Sequence, residues 1–126
     1  MLVSQQLESR LDAFADLSLE CDGMTRVISF ALREARVLHV TKAGELLVDG
    51  VRVVPVHFWL ELEDRSIVDY RARMWAGDGD HVPHGVFRSE DYPRVEYLGE
   101  AVDLSIPRVI FDVLTRDRRA DVPERC

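Results

Sequence analysis

Three residues in this chain have the types and settings needed for acyl transfer through a thiol: Cys21, His57 and Asp69. That chemistry needs a thiolate, a base within hydrogen-bond reach of it, and a third group that holds the base's ring and tautomer. Cys21 stands at the head of a stretch in which Met24, Val27, Ile28, Ala31, Leu32 and Ala35 make the apolar stripe of a helix. A thiol at a helix amino end meets unpaired N–H groups and the positive end of the dipole, both of which favour the thiolate. Taken singly, a cysteine is more often a small buried hydrophobe, so the case depends on its partners.

The strand-like run "VRVVPVHFWLEL" supplies the first partner. A period of two puts Val51, Val53, His57, Trp59 and Glu61 on one face and Val54, Val56, Phe58, Leu60 and Leu62 on the other. The second face is wholly apolar and belongs to the core. The histidine face is mixed, and is expected to pack partly on the helix of Cys21 and partly against an open cleft. Asp69 follows in "SIVDYRARMW", read as the next strand. A hairpin turn of two or four residues would put Asp69 opposite Leu60, facing away from His57. A three-residue turn such as Asp64-Arg65-Ser66, or a bulge, puts it opposite Glu61 on the histidine's side. The triad therefore requires the odd count, although "EDRS" lacks the glycine favoured at the left-handed position of such a turn.

The elements that must position these groups follow from periodicity. Leu7, Leu11, Phe14 and Leu17 mark one face of a first helix. The Cys21 helix comes second, with Asp22 or a neighbour as its cap and Arg33 and Arg36 in its last turn. "VLHVT", a turn near Lys42 to Gly44, and "ELLV" read as strands, and Asp49-Gly50 is the preferred pair for a type I′ hairpin. A long loop punctuated by Gly77, Gly79, Pro83, Gly85 and Pro93 leads to "RVEYLG", a further strand. "SIPRVIFDVLT" reads as a closing helix with Ile106, Ile110, Val113 and Leu114 on one face. The expected fold is α+β: a helix pair, a small antiparallel sheet and a C-terminal helix. It forms one domain over 1–126, with its core in 7–115 and a frayed charged tail at 116–126.

Composition removes several function classes. With 126 residues and 47% hydrophobic content the chain suits one domain with a real core. Sixteen Lys and Arg against 23 Asp and Glu give a net charge of −7, which repels a phosphate backbone and argues against nucleic acid as partner. No apolar run is long enough to span a bilayer, and the acidic amphipathic start is unlike a signal peptide, so a cytoplasmic protein with no membrane partner is expected. Two cysteines, Cys21 and Cys126, make no disulfide framework. His81 and His84, with Asp78 and Asp80, lack the tight spacing of a zinc site, and they read as a turn-rich solvated loop with no metal.

A cysteine opening a helix, a few strands, then "HFWLEL" and an aspartate twelve residues after the histidine resemble the transglutaminase-like branch of the papain-like cysteine hydrolases. The spacing is similar to that of the small leader peptidases that process lasso peptides. The resemblance covers about residues 7 to 72, with Phe58 where the family usually has a small residue. It implies Cys21 as nucleophile, His57 as base and then acid, Asp69 as orienting carboxylate, and no cofactor. It also implies a protease, deamidase or transamidase, and a domain this small leaves little wall for a deep pocket, which favours a protein or peptide substrate. Trp59, Arg71, Arg73 and Trp75 are the candidate substrate contacts, the arginines receiving an acidic group. The competing class is a binding module on the same scaffold, such as an inhibitor, an immunity protein or a phage-encoded decoy.

Overall fold

The computed structural model describes residues 2–116, with side chains from residue 6 onward. Apart from Arg116, the tail read over 116–126 lies outside the described residues, as does Cys126. Two helices, α1 (Leu2–Asp12) and α2 (Cys21–Glu34), precede β1 (His39–Val48), β2 (Val51–Leu62) and β3 (Ile67–Asp69). A short helix α3 (Ala72–Ala76), β4 (Gly85–Phe87), a 3-10 turn at Ser89–Asp91, β5 (Val95–Ala101) and α4 (Arg108–Leu114) complete the order. The fold is α+β. Its five strands form one antiparallel sheet in the order β4-β3-β2-β1-β5. No helix among the described residues is long and apolar enough to cross a membrane.

The expected hairpin forms between β1 and β2. Asp49 and Gly50 take φ of 53° and 80°, the two positive values that a type I′ turn demands, and Val48 pairs with Val51 across it. Helix α2 buries Met24, Val27, Ile28 and Leu32 against Leu7 and Leu11 of α1 and against Leu60, Leu62 and Val68 of the sheet. Each such side chain contributes about 1.5–3 kcal/mol of burial, so this layer anchors the helix whose first residue is Cys21. The first-helix stripe is split: Leu7 and Leu11 are helical, whereas Phe14 and Leu17 follow in turns after Asp12.

Four expectations are corrected. Lys42 to Gly44 is not a turn but the middle of β1, where Gly44 pairs with Gly99 of β5. A Cβ on Gly44 would stand 2.0 Å from the Leu98 carbonyl oxygen, so the glycine serves a close backbone approach. The strand read through "SIVDYRARMW" stops at Asp69, and Ala72 onward is helical. On α4 it is Phe111 and Leu114 that pack inward, Phe111 stacking on Phe30 at 4.4 Å, while Ile110 and Val113 are exposed. Finally, the body of α2 covers the Leu60 and Leu62 face of β2, and the His57 face is covered mainly by aromatic side chains, with Cys21 at the start of α2 acting on the imidazole.

Candidate active site

The turn that decides the site has three residues. Leu60 pairs with Val68 and Glu61 with Ile67, and the Leu62 N–H donates to the Ser66 carbonyl at 2.8 Å, which leaves Glu63, Asp64 and Arg65 as the loop. Arg65 takes the left-handed position, φ 75°, in place of the absent glycine. Asp64 supports the turn by accepting the Ser66 N–H at 2.9 Å. The count is odd but begins one residue earlier than Asp64-Arg65-Ser66, so the alternation carries Asp69 level with Trp59, diagonal to His57 and on its face.

That diagonal is closed by a hydrogen bond. His57 Nε2 donates to Asp69 Oδ2 at 2.7 Å, with both side chains buried. The same Oδ2 accepts the Tyr97 hydroxyl at 2.7 Å, and Oδ1 accepts the Arg71 backbone N–H at 2.9 Å. The carboxylate is thus held by three donors, from β2, β5 and its own following turn. This last contact is an Asx-type turn that pulls the chain out of the strand after Asp69, the local reason why β3 is short.

His57 is fully buried, and its Nδ1 has no hydrogen-bond partner among the described residues. Burial is the largest influence on its pKa and acts to lower it. The Asp69 charge and hydrogen bond, followed by Cys21 as hydrogen-bonding neighbour and as charge, outweigh burial and raise the pKa to about 9. Cys21 thus acts on the protonation of the imidazole without closing a hydrogen bond of ordinary geometry, and Nδ1 is the ring nitrogen that no hydrogen bond occupies. Trp59 lies parallel to the imidazole at 6.0 Å, and Tyr97 packs edge-on to Trp59 at 5.0 Å.

Cys21 is the first residue of α2 and is 7% exposed. The helix cap is Glu20 and makes no side-chain cap bond, while Asp22 lies within the first turn. The helix opening therefore leaves its first N–H groups without intrahelical partners beside the sulfur. The chain leading into it is fixed by Arg71, whose Nη2 donates to the Leu17 carbonyl at 2.7 Å and whose Nε donates to that of Leu19. Arg71 also donates through Nη1 to the Tyr70 carbonyl at 2.8 Å.

A cavity of about 480 Å³ opens beside this segment, lined by Leu19, Glu20, Tyr70, Arg71, Arg73 and Met74 among others. Arg71 and Arg73 thus border a cleft next to Cys21, although Arg73 directs Nε and Nη2 to the Val82 carbonyl. Trp75 is 44% exposed on α3, whereas Trp59 is 2% exposed and lies beside His57 without reaching open surface. No group of His, Cys, Asp and Glu able to hold a metal occurs among the described residues. His84 packs edge-on to Tyr70, and burial holds its pKa below the ordinary value. Tyr97 and the backbone N–H of Arg71 are the site groups the sequence did not disclose. Tyr97 comes from the far edge strand, and no local spacing marks it.

No protein-family model, no curated protein and no solved structure matches this chain.

Proposed function

We propose that the protein is a cysteine-dependent acyl-transfer enzyme acting on a peptide or protein, built on a transglutaminase-like, papain-like core. Its reacting groups are Cys21, His57 and Asp69. The observation that carries the reading is His57: an imidazole inside the protein, tied at Nε2 to a carboxylate held by three donors, with Nδ1 unpaired and its protonation favoured by the thiol at the tip of α2. A structural histidine in that position would have both nitrogens satisfied. His39 shows the contrast, with Nδ1 on the Val37 carbonyl at 2.9 Å and Nε2 on the Ser29 hydroxyl at 2.7 Å.

In this reading His57 takes the Cys21 proton, and the sulfur attacks a carbonyl carbon while the backbone N–H of Cys21 supports the oxyanion. The proton on Nδ1 passes to the leaving amine, which departs and leaves a thioester. Neutral His57 then removes a proton from water or an acceptor amine, which attacks the thioester and restores the thiol. The cleft beside Glu20 is where an extended peptide would lie.

The test is alkylation of Cys21 by iodoacetamide at neutral pH, located by peptide mass mapping so that Cys126 is counted separately. Cys21 is expected to react at least about tenfold faster in the wild type than in His57→Ala, and equal rates overturn the proposal. The near-complete closure of Cys21 and His57 favours a second reading, a binding module on the same scaffold. Such a module keeps its effect in Cys21→Ala, whereas the enzyme loses it.

A further inference from the structure

We propose that Tyr97 is a positioning residue for the His57 and Asp69 pair, its hydroxyl holding the Asp69 carboxylate in the orientation that aims the imidazole at Cys21. The proposal rests on the reading of Cys21 and His57 as nucleophile and base.

Tyr97 belongs to β5, which is separated from β3 by both β1 and β2 in the sheet. Its hydroxyl nonetheless meets Asp69, so the sheet curls to bring the two strands together on the His57 face. The Tyr97 ring packs edge-on to Trp59 at 5.0 Å and tilted against Phe87 at 6.0 Å, and its hydroxyl ends 2.7 Å from Asp69 Oδ2. Backbone geometry makes room for this. Gly99, two residues along β5, has no side chain, and a Cβ there would stand 2.6 Å from Cη2 of Trp59. Any larger residue at 99 would push the indole against which Tyr97 rests.

The hydroxyl has one evident role. Any buried phenol needs an acceptor, and this one takes the very oxygen that accepts from His57. Burial, with the Asp69 charge beside it, keeps the phenol well above its ordinary pKa, so it remains a donor throughout the titration of His57. Without it the carboxylate keeps two of its three donors, His57 on Oδ2 and the Arg71 N–H on Oδ1, and its orientation is less firmly fixed. The imidazole then loses part of the charge that stabilises its protonated form.

The experiment compares wild type, Tyr97→Phe, Asp69→Asn and the double variant. The rate of Cys21 alkylation by iodoacetate, an anion whose reaction reports the imidazolium beside the thiolate, is followed against pH, and His57 is titrated by ring NMR. Tyr97→Phe is expected to keep the circular dichroism of the fold, lower the His57 titration midpoint, and slow alkylation at neutral pH about tenfold. In the Asp69→Asn background the same change is expected to add nothing. A Tyr97→Phe titration at or above the wild-type midpoint, or an equal effect in both backgrounds, overturns the proposal. Wild-type alkylation indifferent to His57→Ala defeats the enzymatic reading instead. One measurement needs no variant: the Tyr97 hydroxyl proton should give a slowly exchanging NMR signal that moves as His57 titrates, and a rapidly exchanging hydroxyl overturns the assignment.

Discussion

Arg71 holds Asp69 with its backbone N–H at 2.9 Å and gives its side chain to the carbonyls of the segment that leads into Cys21. One residue thereby ties the Asp69 carboxylate to the chain entering α2. Arg71→Ala should cost about 2 kcal/mol in urea unfolding, the range for hydrogen bonds from a charged donor. Arg71→Lys should recover less than half of it, because an ammonium lacks the planar fork that reaches several carbonyls. Full recovery with Lys would show that charge alone suffices.

His57 makes stability depend on pH. Its pKa is about 9 in the folded protein against 6.5 for the ordinary side chain, so the folded state binds the proton more tightly. The resulting stabilisation is fully present below about pH 6.5 and is lost as pH rises through 9. It amounts to at most about 3 kcal/mol. Thermal melts should show the wild type losing stability over this window relative to His57→Gln, and parallel curves would contradict the prediction.

Gly44→Ala should destabilise by about 3 kcal/mol, because the new methyl meets the Leu98 carbonyl and Gly99 Cα, backbone atoms of the paired strand that cannot move alone. Chemical denaturation measures it. A cost below about 1 kcal/mol would mean that β5 shifts freely.

Arg65→Gly should stabilise by about 0.5–1 kcal/mol, since Arg65 holds φ 75° where an L side chain is strained and glycine is not. A higher melting temperature with unchanged near-ultraviolet circular dichroism is the expected result.

How much of this was legible follows from where each signal lies along the chain. The β1–β2 hairpin was readable because Asp49-Gly50 carries its own instruction, and α2 because its stripe is local. Gly44 was misread as a turn glycine because its reason is Leu98 and Gly99, far along the chain. "YRARMW" looked like a strand because period two cannot show that Asp69 will bind the Arg71 N–H and turn the chain. On α4 the stripe of Ile110 and Val113 proved exposed, because stacking of Phe111 on Phe30, a partner far along the chain, sets which side of the helix packs inward. The facing of His57 and Asp69 could be stated as a condition on loop length, but a turn that tolerates Arg65 in the left-handed region has no sequence mark. Tyr97 was invisible for the same reason as Gly44: its partner is non-local.

The reach of Tyr97 from β5 to Asp69 makes the site indivisible. Every reacting group of the proposed mechanism lies between residues 21 and 69, which suggests a portable motif. Yet a fragment ending soon after Asp69 would lack the phenol at the carboxylate, the β4 neighbour of β3 and the aromatic roof over the imidazole. The competent unit is the whole sheet, assembled edge to edge.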